Sequence, residues 1–218
     1  MAVRAVLFDL DGTLADTASD LARALNRVRA ERGLGPVPPA MTRPHTSKGA
    51  RGLLGVGMGV APEHATYESL RDRFLGYYAE DLCVDTKLFD GVPELLGTLR
   101  ERGLAWGVVT NKPERFTFPL MQRLDPDGGA SCIVCGDTTP KAKPFPEPLL
   151  HAAREMEIAP RECLYVGDDL RDVQAARAAG MSVVVAAWGY LGDAGDPAGW
   201  GADAVIAHPR EVLSHLSS

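Results

Sequence analysis

Six short runs in this chain are apolar at nearly every position: Val3–Phe8, Leu104–Val109, Ser131–Cys135, Leu164–Val166, Ser182–Ala186 and Ala204–Ala207. A strand with one wet face alternates apolar and polar residues. One that is apolar throughout is covered on both faces, which in practice means a parallel sheet between two layers of helices. The intervening segments carry helix signals. Pro93 suits a first helical turn, Leu95, Leu96 and Leu99 follow at helical spacing, and Gly103 can close the helix in the left-handed conformation. Pro113 marks another start, and the alanine-rich Asp169–Ala179 stretch around Val173 ends at Gly180. Strand and helix alternating in this way predict an α/β fold, a doubly wound and mostly parallel sheet.

One interval breaks the alternation. Between Asp16 and about Lys87 there is no strand pattern, only helical ones. Thr17 with Asp20 three residues on predicts a helix start, with Leu21, Leu25 and Val28 on one face. Gly35-Pro36-Val37-Pro38-Pro39 interrupts any helix, and Tyr67, Leu70, Phe74 and Tyr78 then repeat at three or four residues, the spacing of a core-facing stripe. The expected organisation is an α/β core of residues 1–15 and 88–218 with an inserted α-helical domain at 16–87. A chain of 218 residues has room for both. The glycine-rich stretch Gly192–Gly201 reads as a surface loop.

Composition narrows the function classes. With 23 Lys plus Arg against 29 Asp plus Glu, the formal charge is −6. That balance argues against holding nucleic acid or an anionic membrane by bulk charge, and by itself disfavours an anionic small substrate too. No apolar stretch reaches the ~18 to 20 residues of a membrane helix. The apolar N-terminal run is broken by Arg4 and closed by Asp9, unlike a signal peptide, so a cytoplasmic location is expected. Cys132 and Cys135 form a CxxC around Ile-Val, without a second CxxC or a His pair to complete a zinc site. With Cys83 and Cys163 they read as reduced thiols, the CxxC pair as small buried groups on a strand.

The polar residues at the strand ends carry the chemistry. Ligands in open α/β sheets sit at the carboxyl ends of the strands. The first run ends in Phe8-Asp9-Leu10-Asp11-Gly12-Thr13. Paired carboxylates there can hold a hard cation through oxygen or supply a nucleophile. The second ends in Val109-Thr110-Asn111-Lys112, a hydroxyl and backbone N–H groups suited to phosphate oxygens. In Lys141-Ala142-Lys143-Pro144-Phe145-Pro146, proline fixes the direction of approach of Lys143. Last, Gly167-Asp168-Asp169-Leu170-Arg171-Asp172 packs three carboxylates into five positions, which repel one another unless a cation is present. All four sites fall on one edge of one sheet.

The ordered set Asp9-x-Asp11-Gly12-Thr13, Thr110, Lys143 and Gly167-Asp168-Asp169-x-x-Asp172 resembles the four motifs of the haloacid dehalogenase superfamily over essentially the whole chain. The helical insert resembles that superfamily's type 1 cap, and the sheet would be Rossmann-like. Within it the chain is most similar to bacterial phosphoglycolate phosphatases. Lys87-Leu88-Phe89-Asp90-Gly91 and Trp106-Gly107-Val108-Val109-Thr110-Asn111-Lys112-Pro113 are closer to a subgroup acting on N-acetylmuramic acid 6-phosphate. The resemblance implies a phosphatase for a small phosphorylated metabolite. Asp9 would be the nucleophile and Asp11 the acid and then base. Mg²⁺ would be held by Asp9, Asp168 and the Asp11 backbone carbonyl. Thr110 and Asn111 would cradle the phosphoryl oxygens, Lys143 would offset their charge, and Asp169 or Asp172 would support the metal or the lysine from behind. Phe145 departs from the family, where a polar residue is commoner, and would make the entrance more apolar.

The resemblance also implies that the insert closes over the site and reads the leaving group. Thr46-Ser47-Lys48-Gly49-Ala50-Arg51-Gly52 is the expected reading loop, with Ser47, Lys48 and Arg51 as its substrate-binding residues, while His45 reads as a solvated loop residue. Three rivals share parts of the pattern. A dehalogenase has no need of Asp11, a sugar phosphomutase shares every motif, and a non-enzymatic binding module would be expected to have lost at least one. Five of the 29 acidic residues, Asp9, Asp11, Asp168, Asp169 and Asp172, fall in this one site. There a divalent cation and Lys143 would reverse the local sign, so the net charge no longer counts against a phosphate ester.

Overall fold

The computed structural model describes residues 2–216. In chain order, the elements are β1 (Ala5–Phe8), β2 (Ala15–Asp16), α1 (Ala18–Ala30), α2 (Pro39–Thr42), α3 (Gly49–Met58), α4 (Tyr67–Glu80), β3 (Lys87–Leu88), α5 (Val92–Glu101), β4 (Ala105–Val109), α6 (Glu114–Leu124), β5 (Ile133–Val134), α7 (Glu147–Glu155), β6 (Cys163–Gly167), α8 (Leu170–Ala179), β7 (Ser182–Ala186) and β8 (Ala204–Ile206), with short 3₁₀ turns between some of them. Six strands form one sheet in the order β5-β4-β1-β6-β7-β8, every pair parallel. The chain starts at the centre, builds outward through β4 and β5, then returns to β6 on the other side of β1. The doubly wound fold is the one expected.

The continuous apolar runs are explained by where successive residues go. In β1, Val6 and Phe8 enter one core with Leu95, Leu99, Trp106, Val108 and Leu164. Ala5 and Leu7 enter the opposite core with Leu149, Ala152, Tyr165 and Val173. β7 divides likewise, Val184 and Ala186 to the first face and Val183 and Val185 to the second. Both faces are dry, so neither register of the strand tolerates a polar side chain. Cys132, Cys135 and Cys163 are buried in this core and unpaired, and burial raises all three thiols.

The insert builds its own core. Leu21, Leu25 and Val28 of α1 meet Leu53 and Leu54 of α3 and Leu70, Phe74, Tyr77 and Tyr78 of α4. Phe116 of α6 joins that cluster from the α/β side, so the two layers share an apolar seam. Two details differ from expectation. The chain leaves and re-enters the α/β unit through a two-stranded antiparallel ribbon, Ala15 opposite Leu88 and Asp16 opposite Lys87, where no strand was expected. Two residues per strand are too few to set a period. Thr17 does stand just before α1, but its hydroxyl donates to Asp11 (2.6 Å) instead of capping the helix. Asp20 turns away as well and accepts hydrogen bonds from residues 84–86, just before β3.

Candidate active site

β1 lies between β4 and β6, where the order of strand construction reverses, and the carboxyl ends of these three strands deliver Asp9, Thr110 and Asp168. Lys143 reaches them from the loop before α7. Its ammonium is 2.9 Å from Asp9 Oδ1 and 2.7 Å from Asp172 Oδ1. It also donates to the Val109 carbonyl (2.9 Å) and the Tyr165 hydroxyl (2.8 Å). Burial works against this ammonium, but Asp172 and then Asp9 outweigh it and hold its pKa above the ordinary lysine value. Asn111 fixes the lysine's backbone: its side-chain oxygen accepts from Lys143 N and its amide donates to Lys143 O, both at 2.9 Å. The Asn111 side chain therefore positions the lysine. Thr110 is buried, and its Oγ1 accepts the Lys112 N–H at 3.2 Å.

Asp168 is fully buried and accepts from Tyr190 N (2.8 Å), Thr13 Oγ1 (3.1 Å) and Ser47 Oγ (3.2 Å). Gly12 makes room for it. At φ 91° this residue is in glycine's territory, and a Cβ there would lie 2.2 Å from Asp168 Oδ2. Asp169 and Asp172 divide the work left open between them. Asp169 caps α8, accepting from Arg171 N (2.9 Å) and pairing with the Arg171 guanidinium at 2.8 Å. Asp172 completes the capping box by accepting from Asp169 N (3.0 Å), and it alone of the two holds Lys143.

Carboxylate oxygens of Asp9, Asp168 and Asp172 all lie within 4.8 Å of one another. Burial drives Asp9 up to about 6, with Lys143 pulling the other way, and pushes Asp168 well above the usual carboxylate range, with Asp9 and Asp172 adding to the effect. Three buried carboxylates against one ammonium leave the cluster short of positive charge. An all-oxygen set of this kind fits a hard divalent cation. The Asp11 carboxylate stands outside the cluster. Both its oxygens are 2.9 Å from Lys112 Nζ, and Thr17 holds it from the other side.

Above this floor lies a cavity of about 330 Å³. Asp9, Asp11, Thr110, Asn111, Lys143 and Asp172 line it from below, and Leu21, Phe74, Leu75, Tyr78 and Phe116 give it an apolar wall. Thr46, Ser47, Lys48 and Ala50 close one side.

A family model for haloacid dehalogenase-like hydrolases matches residues 6–186. The chain belongs to that family. It is 43% identical over 216 residues to an N-acetylmuramic acid 6-phosphate phosphatase of Pseudomonas aeruginosa, covering 99% of this chain and 96% of that one. It is 44% identical over 210 residues to a phosphoglycolate phosphatase of Xanthomonas campestris pv. campestris, covering 96% and 94%. Among solved structures, a predicted phosphoglycolate phosphatase from Haemophilus somnus superposes with a TM-score of 0.85 at 27% identity, covering 98% of this chain and 97% of that one.

Not every expected site residue of this hydrolase meets the cavity. Ser47 and Lys48 do; Arg51 is exposed and off the lining. Phe145 is 49% exposed, away from the cavity, with the Lys141 ammonium 4.8 Å from its ring. Sequence reasoning also passed over two cations. Lys112 follows Thr110-Asn111 directly, and that place at a strand's carboxyl end was the available signal. Arg171, within the Asp168–Asp172 motif, ties α8 to the insert by donating to the Ser47 carbonyl at 2.8 Å.

Proposed function

We propose that this hydrolase is a Mg²⁺-dependent phosphomonoesterase that works through an aspartyl-phosphate on Asp9. The observation that carries the reading is the Lys143 ammonium, bonded to both Asp9 and Asp172 at the floor of the cavity. A carboxylate oxygen of Asp9 attacks phosphorus, the bond from phosphorus to the alcohol oxygen breaks, and Asp11 gives the departing oxygen its proton. Water then attacks the acyl phosphate, Asp11 takes a proton from it, and inorganic phosphate leaves with Asp9 restored. Lys143 and the Thr110 hydroxyl face the phosphoryl oxygens, where fixed charge and donors need no reorganisation as the reaction proceeds. Asp9, Asp168 and the Asp11 backbone carbonyl would hold Mg²⁺, with Asp172 behind them. When bound, the ion would neutralise phosphoryl charge. In this reading the helical unit at 16–87 is the cap over the reacting groups. The four free thiols, Cys83, Cys132, Cys135 and Cys163, suit the cytoplasm.

The substrate is a small phosphorylated metabolite, and two members of that class compete. Similarity to relatives named phosphoglycolate phosphatase, at 44% identity, supports a phosphoglycolate phosphatase-like reading. The cavity supports the alternative, a sugar phosphate such as N-acetylmuramic acid 6-phosphate: at about 330 Å³ with an apolar wall, it falls within the usual size of pockets that hold ligands of several rings or substituents. The cations lining the cavity are all engaged. Lys112 pairs with Asp11, Lys143 with Asp9 and Asp172, Arg171 with Asp169, and Lys48 with Asp193. The Lys48 pair is the exposed one and so the weakest, which makes Lys48 the group best able to exchange its partner for a substrate carboxylate.

The test is phosphate release with Mg²⁺ from 2-phosphoglycolate, N-acetylmuramic acid 6-phosphate and hexose phosphates, repeated in excess chelator. Release that stops with chelator and returns with Mg²⁺ is expected. Undiminished release from metal-free protein would overturn the cation's role. Phosphate retained on a sugar bisphosphate, with none released, would make the protein a mutase.

A further inference from the structure

Tyr78, on α4, is 1% exposed and lines the cavity, yet its hydroxyl makes no well-formed hydrogen bond: the Lys112 ammonium beside it is turned to both oxygens of Asp11. Among the described residues only one other buried side-chain oxygen shares that condition, Glu147 Oε2, and it lies outside the cavity. An unpaired hydroxyl in an apolar wall costs folding free energy, and phenylalanine would fill the same volume without that cost. Its neighbours follow that logic: the Phe116 ring packs 5.3 Å from the Tyr78 ring, and Phe74 stands one turn earlier on the same helix.

Position gives the hydroxyl a use. The Lys112 ammonium lies 4.8 Å from the centre of the Tyr78 ring and bonds both oxygens of Asp11. Tyr78 is thus on the Asp11 side of the cavity, where the alcohol half of an ester lies when its phosphoryl group rests on Asp9. Burial pushes the phenol up to about 12, so at neutral pH it is a donor. Leu21, Phe74, Leu75 and Phe116 line the same cavity with hydrocarbon, and the neighbouring Lys112 is already engaged by Asp11. An ionised substituent would find no free counter-ion there.

We infer that Tyr78 is a specificity-determining residue that donates a hydrogen bond to an uncharged oxygen, a hydroxyl, ring or amide carbonyl oxygen, on the alcohol half of a ring-sized phosphate ester. This rests on the phosphomonoesterase reading above. It makes Tyr78 the one polar point of an otherwise apolar wall, left unpaired until substrate supplies the acceptor.

Tyr78→Phe separates this role from a structural one. The measurements are kcat/KM for N-acetylmuramic acid 6-phosphate, glucose 6-phosphate and methyl phosphate, whose leaving group has no second oxygen, together with thermal melting. Loss of one neutral hydrogen bond predicts that the ratio of kcat/KM for the better sugar ester to that for methyl phosphate falls about tenfold. The melting temperature should hold or rise, because the hydroxyl has no partner to lose. An unchanged ratio overturns the inference, and an unchanged ratio with a lower melting temperature assigns the hydroxyl to the fold instead. A wild-type enzyme that cleaves 2-phosphoglycolate but neither sugar ester also overturns it and leaves the phosphatase reading standing. A wild-type protein that releases phosphate from nothing removes both.

Discussion

The floor and the wall of the cavity are built on opposite physical terms. The floor is crowded with buried charge: Asp9, Asp168 and Asp172 around Lys143, with Lys112 and Asp11 alongside. The wall, from α1, α4 and α6, is hydrocarbon with one hydroxyl, and Lys48, which also lines the cavity, pairs with Asp193. Buried carboxylates cost stability and persist where chemistry needs them; an apolar wall gains stability whether or not it reads a ligand. Mutations in the floor should therefore separate activity from stability, whereas mutations joining floor to wall should move binding.

Asp9→Asn tests the floor most severely. Removing the nucleophile should lower kcat by at least about 10⁴-fold. Burial already raises Asp9 to about 6, so neutralising it relieves part of the cost, and the melting temperature should not fall. Turnover near the wild-type rate in pure protein would end the covalent mechanism. Lys143→Met reverses the second half of that result. It should lower kcat by about 10²- to 10³-fold. It also leaves Asp9 and Asp172 buried without their cation, so a destabilisation of about 3 kcal/mol in urea unfolding accompanies it. A Lys143→Met protein as stable as wild type would show that the ammonium is not offsetting those carboxylates.

The same contrast decides what could be read before the fold was known. Floor residues stand at abrupt changes from a continuous apolar strand to a polar turn, as at Phe8-Asp9 and Gly167-Asp168, and the parallel topology brings such ends together. Their chemistry follows from position. Wall residues carry no such mark. Leu21, Phe74 and Tyr78 sit at helical spacing and satisfy a core pattern equally well facing a cavity or a neighbouring helix. Arg51, picked for its charge in a glycine-containing loop, is exposed outside the cavity, while Arg171 spans the join through a contact 124 residues distant in sequence. Asp169 and Asp172 differ only by which one the turn of α8 aims at Lys143, which no local pattern encodes.

Arg171→Ala strikes the join between floor and wall. It removes the donor to the Ser47 carbonyl and the partner of Asp169, and touches neither Asp9 nor Lys143. Loss of a charge-assisted bond to the reading loop should raise KM about tenfold with kcat changed far less. An equal fall in kcat would place Arg171 with the floor.

The smallest effect is expected at the hinge, where Asp20 binds the outgoing chain to the returning one. Its side chain is 0% exposed and accepts from Val84 N (3.0 Å), Asp85 N (2.9 Å), Thr86 N (3.0 Å) and Thr86 Oγ1 (2.7 Å), with Arg23 at 2.7 Å. Burial disfavours the carboxylate, but the Thr86 hydroxyl, the Asp85 N–H and Arg23 outweigh it and hold its pKa below the ordinary value. Asp20→Asn turns an amide donor toward these donors and should cost about 2 kcal/mol at pH 7. A depressed folded-state pKa means that the carboxylate's stabilisation is complete above its unfolded value of about 3.9 and is lost as pH falls through the folded one. Urea unfolding should thus give a gap between wild type and variant that is constant from about pH 8 to pH 5 and narrows below about pH 4. A gap that stays constant into acid would mean the charge is not what closes the hinge. Because Asp20 touches neither floor nor wall, kcat/KM at pH 7 should stay within about twofold of wild type. A larger change would show that the ribbon sets how the wall meets the floor.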